Sequence, residues 1–247
     1  MKIKILCNDS SRKNFFYEHG LSILINDTIL FDTGQTDIFI KNGEKLHVDF
    51  QKIEKIFISH GHYDHVGGLF HLQNKTNATV FIHKKALIPK FSAKKFAGIP
   101  YDWNKIPFKV VYTDKDTVID NIHIINSIPT DKEIINKKFN VNGKQDLFDD
   151  EINLIINNVL FTGCAHKGIE NILKYTMKNY KIKAVVGGFH LSGASSKRIK
   201  KIIALFKSYN LEIFPLHCTG SDVIKLLKEE LNEKCIELKA GDEWRLI

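Results

Sequence analysis

His60-Gly61-His62-Tyr63-Asp64-His65-Val66-Gly67-Gly68 is the stretch that decides how this chain reads. Three histidines and an aspartate crowd together directly behind the apolar run Ile56-Phe57-Ile58. An apolar run that stops at polar residues predicts a buried strand over 53–60. Alternation along the strand end aims His60 and His62 the same way, so both can hold one ion. Asp64 and His65 fall on the turn into a helix expected over 65–74 and can hold a second. Imidazole and carboxylate together suit zinc, iron or manganese. Two ions about 3.5–4 Å apart can share a water whose pKa falls, which makes it a nucleophile at neutral pH. Gly67 and Gly68 let the helix start approach the site closely. Four ligand-type residues at this spacing rarely coincide in an ordinary polar loop.

Outward from the motif, strands and helices follow one another along the chain. Residues 2–7 and 21–32 predict strands, the second broken by the hairpin signal Asn26-Asp27 and followed by Thr33-Gly34. A short helix is expected over 36–46 and strands over 79–83, 109–113 and 117–126. Residues 84–108 mix Pro89, Gly98, Pro100 and Pro107 with Phe91, Phe96 and Trp103. That composition predicts a loop-rich insertion, serving as a lid or as a homodimer contact through its aromatics. The polar segment 129–150 predicts a second loop. Residues 151–163 repeat the strand–turn–strand pattern of 21–34, a weak internal repeat. Helices over 168–180, 195–209 and 220–232 then alternate with strands over 184–188, 211–217 and 235–238. Two similar halves predict a single α/β domain over 1–247, a four-layer αββα sandwich with mixed sheets.

Composition agrees. The chain has 247 residues, 43% hydrophobic and 26% charged, which suits one large globular domain and excludes disordered, collagenous and coiled-coil classes. Cys7, Cys164, Cys218 and Cys235 are scattered without a CxxC pair, so neither a zinc finger nor a disulfide framework is indicated. No apolar run reaches the ~18 residues that span a bilayer. The opening MKIKILCNDS reads as a first strand and not a leader, which makes the cytoplasm the expected location. The net charge of +8 favours an anionic partner. The lysines are spread in pairs and no nucleic-acid-binding signature accompanies them, so nucleic acid is not the favoured partner.

The motif, on its strand–turn–helix, resembles the metallo-β-lactamase superfamily, and Phe31-Asp32-Thr33-Gly34 supports the resemblance. The resemblance implies that Asp32 orients a metal-binding histidine and that His60, His62, Asp64 and His65 hold two divalent ions. The family adds a histidine in a Thr-Pro-Gly-His-like loop, a bridging aspartate at a Phe-x-Gly-Asp strand end and a last histidine near the C-terminus. This chain departs from that pattern. The comparable loop, Ser127-Ile128-Pro129-Thr130-Asp131, has no histidine. Where the aspartate is expected the chain reads Phe161-Thr162-Gly163-Cys164-Ala165-His166. Cys164 takes the aspartate's place as a ligand or beside the ions, and His166 is assigned as a ligand. A soft thiolate leans the metal toward zinc or iron, zinc first, with manganese as the harder option. His217, in His217-Cys218-Thr219-Gly220, completes the second ion's set. His190, ending Gly187-Gly188-Phe189-His190, is assigned to substrate binding or proton transfer, and His19 to the rim. Asp64 and His190 are the catalytic candidates.

Glu18-His19-Gly20-Leu21-Ser22 and the segments around His166, His190 and His217 are similar to one branch of that superfamily. It is the dihydropteroate-synthase-like or dihydropterin-ribofuranosylaminobenzene-phosphate-synthase-like branch. The expected function is a binuclear hydrolase or related transferase acting on an anionic, phosphorylated small molecule, with a pterin-like compound among the options. The alternatives are a nuclease or phosphodiesterase acting on nucleic acid, and a non-catalytic metal sensor. A β-lactamase would carry the missing Thr-Pro-Gly-His, and a flavodiiron oxidoreductase a glutamate where His62 stands.

Overall fold

The computed structural model describes residues 1–246. Its first half runs β1 (Lys2–Cys7), β2 (Ser22–Ile25), β3 (Ile29–Phe31), α1 (Ile38–Lys45), β4 (Lys55–Ile58), α2 (Tyr63–Val66), β5 (Thr79–Ile82), β6 (Lys90–Ser92), β7 (Lys95–Phe96) and β8 (Val110–Tyr112). The second half runs β9 (Thr117–Ile119), β10 (Ile122–Ile125), β11 (Phe139–Val141), β12 (Lys144–Gln145), β13 (Asn153–Ile156), β14 (Val159–Thr162), α3 (Ile169–Thr176), β15 (Ala184–Gly188), α4 (Ser196–Ser208), β16 (Glu212–Leu216), α5 (Ser221–Leu231) and β17 (Glu243–Arg245).

Two hairpins set the register of the two large sheets. Asn26 and Asp27 lie at φ 50° and 60°, Asn157 and Asn158 at 48° and 65°. Two consecutive left-handed residues make the tight turn whose twist matches paired strands, and Asn and Asp tolerate it best. Each hairpin, β2–β3 and β13–β14, passes its last strand to parallel neighbours. Phe31 lies beside Phe57 and Phe57 beside Phe81 in one sheet; Phe161 lies beside Val186 and Val186 beside Phe214 in the other. The sheets are ordered β17-β1-β2-β3-β4-β5-β8 and β16-β15-β14-β13-β10-β9. The repeat between the halves is therefore visible in the topology.

Strand alternation sorts the core into layers. Phe57, Phe161, Val186 and Phe214 fill the space between the sheets with Ile3, Ile5 and Leu154. Their neighbours Ile56 and Ile58 turn outward onto Phe39 and Ile40 of α1 and onto Val66 and Leu69. Leu160, Val185 and Ile213 turn outward onto the helices of the second half. Helix α4 presents Ile199, Ile202, Ile203 and Phe206 as one buried stripe, the helical spacing that a sheet-covering helix needs. Helices outside two facing sheets give the expected αββα order.

The structure departs from the sequence reading in four places, the first being a tight turn at Asp120-Asn121 that splits 117–126 into the hairpin β9–β10. Residues 235–238 form no strand; Cys235 makes a single bridge to Ile213, and the edge of the first sheet is instead taken by β17 on β1. The helix expected over 65–74 is one α-turn, α2, followed by a 3-10 segment, Gly67–Leu72. A Cβ on Gly68 would stand 2.0 Å from the Thr33 carbonyl oxygen, so this turn lies too close to the backbone behind it to carry a side chain. The segments 84–108 and 129–150 are not merely loops. They contribute β6, β7, β11 and β12 to a third sheet, ordered β12-β11-β6-β7. Among the described residues no helix is long and apolar enough to cross a membrane.

Candidate metal centre

The carboxyl ends of β3, β4, β14, β15 and β16 open on one edge of the sandwich, and the chain leaves each of them through a tight turn. Asp32, Ala165, His190 and His217 all adopt left-handed φ values, 59°, 53°, 47° and 46°. Non-glycine residues held there cluster at functional sites, because the surrounding structure must over-determine them.

Asp32 is fully buried behind the site. Its carboxylate accepts from the Ser59 amide at 2.7 Å, the Ser59 hydroxyl at 2.7 Å and His65 Nδ1 at 2.6 Å. Ser59 thus gives its only hydroxyl proton to Asp32. His60 Nδ1, 2.8 Å from Ser59 Oγ, must therefore be the donor in that pair, which leaves the His60 Nε2 lone pair facing the site. Asp9 performs the same service for His217, accepting from its Nδ1 at 2.6 Å, while Asn8 Oδ1 accepts from the His217 amide at 2.7 Å.

Two groups of ligand atoms converge in front of these supports. His60 Nε2 lies 3.0 Å from His62 Nδ1 and 3.2 Å from His166 Nε2. His65 Nε2 lies 3.3 Å from His217 Nε2 and 3.2 Å from Cys164 Sγ, and Asp64 Oδ2 is 3.3 Å from His217 Nε2. Cys164 belongs to both groups: His60, Cys164 and His166 offer atoms within 4.8 Å of one another, and so do His65, Cys164 and His217. Burial pulls His60 and His166 well below the usual imidazole range, and it takes His62 down to about 3 against the pull of Asp64. Three neutral rings aiming nitrogens at one point satisfy each other poorly by hydrogen bonding but suit a shared cation. Burial raises the Cys164 thiol, so a cation is also what would make this sulfur a thiolate. The donor set fits divalent metal binding, and the fold brings together the residues named from the sequence.

The same shifts give a test of the metal-free protein. His62 is neutral in the fold, whereas the unfolded chain takes up a proton near pH 6.5. As pH falls below 6.5 the unfolded state gains a proton that the fold refuses. The stability present above 6.5 is therefore lost progressively down to about pH 3. At about 1.4 kcal/mol per pH unit, His62 alone costs about 2 kcal/mol by pH 5. Denaturation of the chelator-treated protein at pH 7 and pH 5 checks this; equal midpoints would contradict it.

His62, Asp64, Cys164, His166 and His217 line a cleft of about 370 Å³ together with Tyr63, Lys138, His190, Ser192 and Gly220, with His60 and His65 buried behind them. His190 is half-buried, its ring 4.5 Å from that of His166, and its Nδ1 has no partner among the described residues. His19 stands at the rim, with Nδ1 on Asp9 at 2.9 Å and Nε2 3.2 Å from Asp64. The hydrogen bond to Asp9 raises its pKa against the effect of burial. Asp64 is held well below the usual carboxylate range: burial alone would raise it, but His65, His217 and His62 outweigh that.

Several residues that build the site are not evident from sequence. Asn8 and Asp9 end β1 and reach His217 across more than two hundred residues. Glu151, fully enclosed, accepts from the amides of His166 and Lys167 and so fixes the turn that aims His166. Asp150 accepts from the Gly61 amide at 2.8 Å. Phe139 and Phe148 lie against the rings of His62 and His166. The one local signal was the polar pair Asn8-Asp9, which closes an apolar strand at the sheet edge where the ligands gather.

Comparison with known proteins gives a consistent picture. Residues 18–122 match the family model described as the metallo-beta-lactamase superfamily. An uncharacterized protein of Methanocaldococcus jannaschii is 34% identical over 248 residues, 92% of this chain and 94% of that one. The same organism's 7,8-dihydropterin-6-methyl-4-(beta-D-ribofuranosyl)-aminobenzene-5'-phosphate synthase is 30% identical over 279 residues, 98% of this chain and 95% of that one. Among solved structures, Tm1679, described as a metal-dependent hydrolase of the beta-lactamase superfamily, aligns over 100% of this chain and 99% of its own. Its TM-score is 0.88 and its identity 37%.

Proposed function

The chain belongs to the metallo-β-lactamase superfamily, and from that premise we propose that it is a binuclear metal-dependent enzyme. Its substrate is an anionic, phosphorylated small molecule. The observation that carries this reading is the pair of converging ligand groups that share Cys164 at the floor of one cleft. His60, His62 and His166 would hold one ion, Asp64, His65 and His217 the other, with Cys164 between them. Zinc is the first choice for a site of imidazole and thiolate, ahead of iron and manganese.

Bound ions would supply Lewis-acid polarisation of a phosphoryl or carbonyl group and a water of lowered pKa. The chain's own residues supply the rest. Asp64, kept ionised by its histidine neighbours, serves as a ligand. Lys138 and Ser92 come from the third sheet into the cleft and meet an anionic group with a charge and a hydroxyl. His190, which lines the cleft beside His166, takes or gives the proton that a leaving group requires. Ser92 and Phe139 of the third sheet line the cleft, whose volume of about 370 Å³ suits a small molecule better than a polymer. The similarity to a dihydropterin phosphate synthase supports a pterin-like phosphate as the first class to screen.

The test is metal analysis of anaerobically purified protein beside His62→Ala, with bis(p-nitrophenyl) phosphate turnover followed on both. About two ions per chain in the parent, with turnover lost in the variant, is the expected result. Two ions without turnover would shift the reaction to synthase-type transfer, and no metal in the parent would end the reading.

A further inference from the structure

The two ligand groups differ in what stands behind their imidazoles. His65 and His217 each turn the remaining ring nitrogen onto a carboxylate, Asp32 and Asp9, both at 2.6 Å. His62 and His166 do not. Their remaining nitrogens, His62 Nε2 and His166 Nδ1, are buried and have no hydrogen-bond partner among the described residues.

These two rings are held by phenyl rings instead. Phe148 lies over His166 with centroids 4.2 Å apart and planes within 4°, and Phe139 lies over His62 at 4.8 Å and 27°. Phe139 and Phe148 meet edge to face at 5.7 Å. Both belong to the segment that builds the third sheet. That sheet also carries Lys90, whose ammonium lies 2.9 Å from both Asp146 and Asp150, and Asp150 holds the Gly61 amide between His60 and His62. The third sheet is thus tied to one ligand group through two stacks and one ion-pair chain.

A carboxylate behind a ligating histidine fixes its tautomer and raises its basicity; a phenyl ring fixes only its plane. Resting on the binuclear reading above, we infer that the two metal positions are unequal. The position of His65, His217 and Asp64 binds tightly. The position of His60, His62 and His166 binds more weakly and depends on Phe139 and Phe148 as positioning residues, so its occupancy follows the placement of the third sheet.

The test is calorimetric titration of the chelator-stripped full chain with cobalt(II), with the visible spectrum recorded at each addition. The parent should show two events separated by at least about tenfold in affinity, the scale that outer partners of ligating histidines set. Phe139→Ala and Phe139→Leu should weaken only the second event, by about tenfold, without moving the first or the thermal midpoint of the one-cobalt form. Phe139→Tyr, which keeps the stack, should restore it. Asp9→Asn, which acts through His217, should weaken the first event. Two events of equal affinity in the parent, or a loss shared equally by both in the Phe139 variants, would overturn the inference and leave the binuclear reading intact. Only one cobalt bound by the parent would overturn both.

Discussion

Cys164→Ala is expected to yield a folded protein that no longer retains two ions and that loses turnover by at least about 10³-fold. The sulfur is the one donor common to both ligand groups, and it lies 3.2 Å from His65 Nε2. Removing an outer partner of a ligating histidine already costs about 10–100-fold; removing a shared donor weakens both positions at once. The fold itself should tolerate the change, since alanine leaves only a small gap where a buried thiol stood. Cys164→Asp is the informative companion. A carboxylate at this place should keep two ions but shift the preference toward harder ones such as manganese. The cobalt form should also lose its sulfur-to-metal absorption. Metal content, turnover and the cobalt spectrum of the two variants check this. Full metal content and unchanged turnover in Cys164→Ala would show that the sulfur is a bystander.

Lys90→Met should cost about 3–5 kcal/mol of stability, a large effect for one buried exchange of similar length. The Lys90 side chain is only 3% exposed, and the carboxylates it joins, Asp146 and Asp150, are 5% and 1% exposed. Removing the cation leaves two buried negative charges without compensation, and breaking a buried pair from one side costs about that much. The loss should shrink when Asp146 and Asp150 are also replaced by asparagine, because the uncompensated charges then disappear. Denaturant unfolding of the metal-free single and triple variants measures both values. A loss below about 1 kcal/mol in the single variant would mean that solvent reaches the triad freely.

What could be read from the sequence, and what could not, follows from how local each signal was. Asn26-Asp27 and Asn157-Asn158 announced their hairpins because a tight turn requires particular residues at adjacent positions. The HxHxDH ligands were legible because one turn gathers them. Cys164 and His166 were legible by position, as departures from a familiar pattern. The third sheet was hidden: Phe91 pairs with Asn140, two short polar segments nearly fifty residues apart with no apolar alternation to betray them. Residues 235–238 had strand composition, yet beyond the Cys235–Ile213 bridge they join no strand ladder; β17 was overlooked because Glu243, Trp244 and Arg245 are all exposed. Asp9, Phe139 and Phe148 went unseen for a related reason. Each is a common residue type whose role exists only through a ring brought from a distant part of the chain.

The hairpin repeat that builds the two sheets also has a consequence for how the chain holds together. Each half contributes an incomplete share of the candidate ligands: His60, His62, Asp64 and His65 come from one, Cys164, His166 and His217 from the other. His60 and His166 are separated by 106 residues, His65 and His217 by 152. An ion gripping the first pair would be a clasp across nearly half the polymer, and one gripping the second a clasp across well over half. By chain-entropy reasoning a permanent link closing a loop of that order is worth about 5 kcal/mol. Neither half could carry such a clasp alone, so on the binuclear reading the free-ion concentration of its surroundings would be a coordinate of this protein's folding, set from outside the polypeptide.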